Sequence, residues 1–397
     1  MRIAQIAPLQ VAVPPRSYGG TERVVHALTE GLMRLGHDVT LFATGDSRTS
    51  ARLVPMIARA VNFDPAIDIT AVHVAALAEV YRQADRFDII HSHMEHLTPP
   101  FAAAARTPTV LTLHGRLDDL RSAAVFRNTT NCHYVAISES QRSALPDLDW
   151  AATIHHGIDV DAFPYYPEPG SYLAFVGRIA PDKRPDRAIE IAVRAGVPLK
   201  IAAKVDPTDA DYFHTVIEPL LEHPLIEFLG ELDEAGKRDL MGHALALLLP
   251  IDWPEPFGMV FIESLACGTP VLTCPVGSVP ELLRNGVTGY ACDTVDGCVA
   301  AVKALPAISR AGCRAYVKAR FDVRQMALAY INVYAQAQGR RRPFVEPTLA
   351  LPEPTQTAAG KGTRDRLDRV FAPFALTPAS AAEDPRDDDE CATPVSL

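Results

Sequence analysis

Two glutamates with seven residues between them stand in the segment with the clearest chemical character, Trp253-Pro-Glu-Pro-Phe-Gly-Met-Val-Phe-Ile-Glu-Ser-Leu-Ala-Cys-Gly-Thr-Pro. Glu255 lies in a proline-rich loop, and Glu263 lies in the helix that the following residues predict. Gly258 should begin that helix with no side chain in front of its first N–H groups. Such N–H groups lack internal partners and, with the helix dipole, favour an anion. The segment therefore predicts a phosphate site flanked by carboxylates that suit hydroxyl groups, which is the outline of a nucleotide-sugar site.

Two cations follow the first strand of the second half of the chain, in Phe175-Val-Gly-Arg-Ile-Ala-Pro-Asp-Lys. Gly177 permits a tight turn, and Arg178 and Lys183 can form charge-assisted hydrogen bonds with a diphosphate that carries about two negative charges. Surface charges on an ordinary loop are the alternative. Lys204, after the next predicted strand, is a further candidate contact for a phosphate or a sugar.

Three candidates in the first half of the chain also follow predicted strands. Gly19 and Gly20, in Tyr18-Gly-Gly-Thr-Glu-Arg, would bring backbone amides close to a ligand, although a simple tight turn is also compatible with them. The run is not a Gly-x-Gly-x-x-Gly dinucleotide fingerprint. His114 lies at the carboxyl edge of a predicted sheet, where α/β proteins bind ligands. Ser138 is a candidate phosphate contact and also an ordinary helix N-cap.

These motifs, in this order, resemble the retaining glycosyltransferases of family 4 over about residues 1 to 338. Glu255-Pro-Phe-Gly, Glu263 and Gly268-Thr-Pro reproduce the glutamate-x7-glutamate signature of that family. The resemblance implies an α/β protein with the GT-B fold, in which two Rossmann-like parallel-sheet domains face each other across a cleft. It also implies retaining, metal-independent transfer of a hexosyl unit from a nucleoside diphosphate sugar to an acceptor hydroxyl. A UDP-sugar is expected, and guanine and adenine are left open as the donor base.

The same resemblance assigns roles to individual residues. Arg178 and Lys183 would stabilise the departing diphosphate, Glu263 would bind the ribose, and Glu255 and His114 would contact the donor sugar. The remaining donor-binding positions that it implies are Gly19, Gly20, Ser138, Lys204, Phe257, Gly258, Met259 and Val260. The chain departs from the family pattern at Arg184, where glycine is usual, and at His156, where asparagine is usual.

A histidine-rich run, Asp88-Ile-Ile-His-Ser-His-Met-Glu-His, is an alternative site of a different kind. Three imidazoles and a carboxylate at this spacing could ligate zinc if the strand keeps His91 and His93 on one face. The resembled family carries a similar run without a metal. We therefore expect the run to line the cleft or contact the acceptor, and we expect no metal and no cofactor besides the nucleotide-sugar co-substrate.

Composition excludes several classes of protein. Hydrophobic residues at 48% and charged residues at 22% are typical of a globular protein, and a formal charge of -10 argues against a nucleic-acid partner. No apolar run approaches the ~20 residues that span a bilayer. Seven cysteines without a Cys-x-x-Cys pair fit reduced thiols. The expected location is the cytoplasm, with peripheral attachment to the inner face of the membrane left open.

The elements that must position these residues follow an alternating strand–helix pattern. We predict an acceptor-side Rossmann-like domain over 1–165 and a nucleotide-sugar domain over 166–319, joined by the proline-rich stretch near 163–170. A helix over 320–338 should return to the first domain, as the resemblance implies. Residues 339–397 should form a disordered acidic tail. Strands of the first series are predicted at residues 2–8, 39–43, 89–91, 109–113, 134–137 and 153–154. Strands of the second series are predicted at 172–176, 199–202, 227–228, 245–249 and 270–273.

The acceptor carries no signature in the sequence and is left open among a sugar, a lipid-linked sugar and a small molecule. Two other functions remain alternatives at this stage. One is a nucleotide-sugar epimerase or hydrolase on the same fold, and the other is a non-catalytic module that binds a nucleotide or a carbohydrate.

Overall fold

The computed structural model describes residues 1–16, 19–118 and 120–339 of the chain. Strands of the first sheet are β1 (Arg2–Ile6), β2 (Asp38–Thr44), β3 (Arg52–Ile57), β4 (Ile89–Ser92), β5 (Thr109–Thr112), β6 (Cys132–Ala136) and β7 (Trp150–Thr153). Helices in this part are α1 (Gly20–Arg34), α2 (Ile69–Arg82), α3 (Pro99–Ala104), α4 (Leu120–Arg127) and α5 (Glu139–Arg142). All strand pairs given for this sheet are parallel, in the order β3-β2-β1-β4-β5-β6-β7.

The second sheet is also parallel and has the order β10-β9-β8-β11-β12-β13. Its strands are β8 (Leu173–Arg178), β9 (Leu199–Lys204), β10 (Ile226–Gly230), β11 (Ala246–Leu249), β12 (Val271–Thr273) and β13 (Gly289–Ala291). The helices that accompany it are α6 (Pro185–Ala195), α7 (Ala210–Tyr212), α8 (Glu234–Gly242), α9 (Met259–Ala266), α10 (Val279–Leu282), α11 (Val295–Val302) and α12 (Arg310–Arg320), and the last described helix is α13 (Val323–Ala337).

Both sheets reverse their strand order beside their first strand, between β1 and β4 and between β8 and β11. Loops that leave adjacent strands in opposite directions at such a point open a crevice at the carboxyl ends, where α/β proteins bind ligands. The loop after β1 contains Gly19 and the loop after β8 contains Lys183. The topology therefore places the candidate residues of both halves of the chain at the two crevices.

The predicted strands agree with the observed ones to within a few residues, but β3 and β13 were not predicted. β3 is an edge strand that begins at the exposed Arg52 and whose apolar pattern is interrupted by Pro55. β13 is an edge strand of three residues. Edge strands are short and need no continuous apolar run, so their sequences give a weak signal.

Helix α13 packs against the first sheet although it follows the second sheet in the chain. Val323, Ala327 and Tyr330 are buried in one apolar cluster with residues of α1 and of the first sheet. Gly31 of α1 permits this close crossing, because a Cβ atom there would lie 3.1 Å from Val323 Cγ2 and 3.2 Å from the Cβ of Ala327. The last described helix thus fastens the end of the second half of the chain to the first.

The proline-rich stretch that was predicted as a linker is bound to α12 by two arginines. The buried Arg310 guanidinium donates to the Tyr166 carbonyl at 2.6 Å and the Ala244 carbonyl at 2.9 Å. Arg314 donates to the carbonyls of Phe163 at 2.9 Å and Val160 at 3.0 Å. Backbone carbonyls that lack secondary-structure partners are thereby satisfied, and this stretch is held at Phe163 and Tyr166.

The structure does not test the predicted domain boundary or the predicted tail. The domain boundary at 165/166 stays a prediction. Apart from Gly339, the predicted tail of residues 339–397 lies outside the described residues. None of the helices in the described ranges combines the length and the apolar character needed to cross a membrane.

Replacing Arg310 tests the anchoring of the linker. Arg310→Met keeps a long side chain but leaves the carbonyls of Tyr166, Ala244 and Gly242 without their donor. Buried acceptors without partners are costly, so we expect a loss of about 3 kcal/mol or more in the free energy of unfolding. Urea unfolding measures it, with the exposed Arg324→Met as the matched control. Equal unfolding midpoints for the two variants would contradict this account.

Candidate functional site

A cavity of about 280 Å³ is lined by residues from both halves of the chain, at the carboxyl ends of the central strands. The predicted site residues that line it are Gly19, Gly20, Arg178, Lys183, Lys204, Glu255, Gly258, Met259, Val260 and Glu263. Residues that sequence reasoning did not single out also line it, including Arg23, Glu231, Lys237 and Trp253. We refer to this space as the donor cavity, after the nucleotide-sugar donor that the sequence leads us to expect there.

Helix α9 begins at the wall of the donor cavity. Gly258 has φ 86°, in the left-handed region, and no side chain caps the first N–H groups of the helix. Glycine adopts this φ without steric cost, and a Cβ at Gly258 would also lie 2.6 Å from the Phe261 ring. The sequence prediction of a helix start with open amides thus matches the local geometry. Anions are favoured at such a position.

The loop before α9 is held in place at three consecutive carbonyl groups. The Glu255 carbonyl accepts from Ser278 N–H at 3.0 Å. The Pro256 carbonyl accepts from the Ser138 hydroxyl, and the Phe257 carbonyl from the Ser278 hydroxyl, both at 2.7 Å. These bonds fix where Glu255 and the first amides of α9 lie relative to the cavity.

Lys183 and Glu255 form an ion pair inside the donor cavity. Both side chains are about 15% exposed, at 14% and 15%, so solvent screens the pair less than it would on the surface. The Lys183 ammonium also lies 4.4 Å from the centre of the Trp253 ring. The predicted phosphate cation and the predicted sugar-binding carboxylate are therefore direct partners.

Arg178 lies in a more acidic setting than the sequence suggested. Its guanidinium is 3.5 Å from Asp206, 3.7 Å from Asp209 and 3.9 Å from Asp182. A diphosphate that approached Arg178 would also approach these carboxylates, and like charges repel. Lys183 is therefore the better placed of the two predicted cations for an anion at the start of α9.

Arg23 connects the two halves of the chain across the donor cavity. It lies in the first turn of α1, pairs with Glu234, and donates to Glu263 Oε1 at 3.2 Å. Glu263 is buried, at 6% exposure. The carboxylate predicted to bind the ribose thus already has a cationic partner. The sequence signal for Arg23 was its position one turn after Gly20, at the start of a helix that faces the cleft.

Arg184 explains one departure from the family pattern. It has φ 53°, in the left-handed region where glycine is favoured. Its guanidinium binds Asp186, at 2.8 Å, and Asp252, at 2.5 Å. The conformation that glycine would supply for the turn into α6 is thus adopted by an arginine whose side chain is held by two carboxylates.

Ser138 and Phe257 lie outside the donor cavity. Ser138 is fully buried; its hydroxyl accepts from Gln141 N–H at 2.9 Å and donates to the Pro256 carbonyl. It is thus an N-cap that also joins the two halves of the chain. The Phe257 ring packs against the ring of His156, with centroids 4.8 Å apart.

His114 also lies outside the cavity lining, at the end of a row of histidines. Its Nε2 is 2.8 Å from His93 Nδ1, and His93 Nε2 is 2.9 Å from the side-chain amide carbonyl oxygen (Oε1) of Gln5. Because a carbonyl oxygen only accepts, His93 donates from Nε2, and its Nδ1 accepts in the neutral ring. His114 must then donate from Nε2. This leaves His114 Nδ1 as an acceptor, the role that a sugar hydroxyl would require.

Helix α13 contacts this row where it packs against the first sheet. His91 Nδ1 is 2.7 Å from the Tyr334 hydroxyl, and His91 Nε2 is 2.8 Å from the Thr112 hydroxyl. Gln5 Nε2 lies 3.5 Å from the same Tyr334 hydroxyl. His91 and His93 therefore have partners within the protein. No group of three or more His, Cys, Asp or Glu side chains suited to a metal ion occurs among the described residues. The alternative zinc site therefore has no set of ligands in this part of the chain.

Burial keeps these histidines neutral. It lowers the pKa of His114 to about 3. The pKa of His91, His93 and His156 is lowered well below the usual value, first by burial and then by neighbouring imidazoles. His114 is therefore suited to accept or donate hydrogen bonds near pH 7 and not to carry a positive charge.

Comparison with known proteins follows the same division of the chain. Residues 18–162 match the pattern described as Glycosyltransferase Family 4, and residues 165–305 match that described as Glycosyl transferases group 1. Glycogen synthase of Mycobacterium tuberculosis is 29% identical over 86% of this chain and 96% of its own length. Phosphatidyl-myo-inositol mannosyltransferase of the same species is 27% identical over 73% and 82%.

A solved structure supports the fold independently. AviGT4, a glycosyltransferase involved in avilamycin A biosynthesis, superposes with a TM-score of 0.67 over 85% of this chain and 98% of its own, at 23% sequence identity. The two facing sheets and these likenesses define a glycosyltransferase of the GT-B fold. The two sequence patterns, which together extend from residue 18 to residue 305, place it more narrowly: the chain belongs to glycosyltransferase family 4.

The buried histidines predict a loss of stability in acid. Their folded pKa values lie below the unfolded value of about 6.5, so the unfolded chain binds more protons as the pH falls below that value. Each such histidine should lower the free energy of unfolding by about 1.4 kcal/mol per pH unit. We expect His156→Asn to make the pH dependence shallower by up to this amount as the pH falls below about 6.5. Urea unfolding at several pH values measures the slope.

His214→Asn is the control, because the His214 side chain is 63% exposed. Burial raises the pKa of Glu22 and Glu95 to about 7, which opposes the acid effect, but both glutamates are present in every protein compared. If His156→Asn kept the full slope of the unmodified protein, the burial argument would be wrong.

Proposed function

We propose that this glycosyltransferase transfers a hexosyl unit from a nucleoside diphosphate sugar to an acceptor hydroxyl with retention of configuration and without a metal ion. The observation that carries the proposal is the donor cavity itself, where the open start of α9 lies beside the Lys183–Glu255 pair. Helix amides and a lysine together supply positive potential for a diphosphate. Side chains and amides would then do the work of a divalent cation.

The diphosphate would lie at the amino end of α9, between the two carboxylates. Glu263, one helical turn inside α9, would bind the ribose hydroxyls on one side. Glu255, before the helix, would bind hydroxyls of the donor sugar on the other. Stabilising the charge that develops on the leaving diphosphate would be the main catalytic contribution, because fixed donors in a partly buried site need no reorganisation.

Retention follows from the family-4 resemblance, with attack on the same face as the departing phosphate. His114, with Nδ1 as an acceptor, is suited to a donor-sugar hydroxyl near that centre. Uracil is the base we expect, and a melting screen with nucleoside diphosphate sugars tests it because a tight ligand raises the melting temperature. Product analysis with and without acceptor sugars separates transfer from epimerisation or hydrolysis.

Arg178 and Lys183, the two cations predicted to hold the diphosphate, should act on the leaving group. We expect Lys183→Ala to lower turnover about ten- to a hundred-fold, the effect of losing one charge-assisted hydrogen bond. Arg178→Ala should also lower turnover, by no more than Lys183→Ala, because of the carboxylates around Arg178. Steady-state kinetics with the identified donor measure both. Activity within about twofold of the unmodified enzyme in both variants would exclude the assignment.

The two glutamates should differ in the part of the donor that they bind. Glu263→Gln should weaken binding of the free nucleoside diphosphate about tenfold, since it loses a charged acceptor for the ribose. Glu255→Gln should leave that binding intact, or strengthen it by freeing Lys183, while lowering turnover. Calorimetry with the nucleoside diphosphate and with the full donor measures both.

Arg23→Gln serves as the control for this comparison, because Glu263 also accepts from Arg23. A loss in Arg23→Gln as large as that in Glu263→Gln would assign the effect to the ion pair. If both glutamate variants lost the same affinity for the free nucleoside diphosphate, the two carboxylates would bind the same end of the donor.

A further inference from the structure

A second cavity, of about 610 Å³, adjoins the donor cavity. The two share Lys204 and Glu231 in their linings. The rest of the second lining comes from the first half of the chain, from the loop after β1 and from the segments that flank β3. A ligand in this space would therefore lie next to a donor bound at α9 and in contact mainly with the first half of the chain.

Two arginines line this second cavity, and their guanidinium groups do not hold other parts of the fold in place. Arg16 and Arg59 are both exposed. Within the described part of the chain, neither guanidinium has a hydrogen bond or a short ion pair. Arg59 acts on Asp46 through space, and the Asp46 carboxylate itself accepts from Ala60 N–H at 3.1 Å. Arginine presents a planar set of donors that matches a carboxylate or a phosphate group.

A phenyl ring is presented beside these cations by a strained turn. Asn62 and Phe63 have φ of 53° and 60°. Asparagine tolerates this left-handed region, but the region costs a bulky residue such as Phe63 about 1 kcal/mol or more. The turn is held against the loop after β1, because Val61 N–H donates to the Leu9 carbonyl at 3.1 Å and Asn62 N–H to the Gln10 carbonyl at 2.8 Å. Phe63 nevertheless remains 53% exposed at the cavity.

An aromatic side chain of this size usually gains by burial, so strain that keeps it exposed is a sign of ligand contact. The apolar face of a sugar ring packs well against a phenyl ring. Asp46 and Glu231 can accept from hydroxyl groups, while Arg16 and Arg59 can bind an acidic group. One cavity thus contains groups that can bind a sugar ring, its hydroxyl groups and an acidic substituent.

We propose that this cavity is the acceptor site and that it takes a sugar carrying a carboxylate or phosphate group, bound by Arg16 and Arg59 with the sugar ring on Phe63. The proposal rests on the proposed function, which places the donor in the adjoining cavity. It adds the chemical class of the acceptor: an acidic sugar or a sugar phosphate, in preference to a neutral one.

Calorimetric titration of the full-length protein with glucose, glucuronic acid and glucose 6-phosphate tests the proposal without requiring turnover. We expect at least one of the two acidic sugars to bind about tenfold more tightly than glucose, the factor that one charge-assisted hydrogen bond supplies. Which one does so distinguishes a carboxylate from a phosphate. The preference should disappear in the double variant Arg16→Gln, Arg59→Gln.

Arg52→Gln is the matched control, since Arg52 is an exposed arginine at the opposite end of β3 and should leave the preference intact. Lys183→Ala should also leave it intact, which separates this site from phosphate binding in the donor cavity. The proposal is overturned if neither acidic sugar binds, if glucose binds equally well, if the double variant keeps the preference, or if Lys183→Ala loses it. Nucleoside diphosphate binding, measured on the same samples, reports separately on the donor cavity.

Discussion

The open amides at the start of α9 are the feature on which the rest of the site depends. A helix start attracts an anion only if its first N–H groups face the ligand and no side chain caps them. Gly258 meets the second condition because the N-cap residue has no side chain that could cap these groups. The first is met because Ser138 and Ser278 bind the carbonyls of the preceding loop. Local backbone geometry and contacts between the two halves of the chain are therefore both needed.

The charged side chains around these amides balance one another in ion pairs. Within the donor cavity the cations Lys183 and Arg23 are paired with Glu255 and Glu263, so neither carboxylate is buried without a counter-charge. Buried carboxylates without partners would be strongly destabilising. An arriving diphosphate would compete with Glu255 for Lys183, and ribose hydroxyls would replace or share the partner of Glu263. Ion pairs within the protein thus engage the same side chains that would bind the donor.

Motif order and strand pattern were enough to predict the fold and ten of the residues that line the donor cavity, because these residues are tied to short segments with local signals. Gly258 and Lys183 are examples. The sequence could not show that Ser138 binds a carbonyl 118 positions away or that Arg178 is surrounded by aspartates. Nor could it show the hydrogen bond between His91 and Tyr334, which are 243 positions apart. These facts depend on long-range packing that no local pattern encodes.

The contact between α13 and the histidine row has a consequence for the order in which the enzyme becomes complete. Tyr334 orients Gln5, Gln5 fixes the proton of His93, and His93 fixes that of His114. Tyr334 is among the last described residues to leave the ribosome, whereas Gln5 is among the first. A nascent chain could thus fold both sheets and still lack the final hydrogen-bond partner of the row. Synthesis must therefore reach α13 before every hydrogen-bond partner of the row is present.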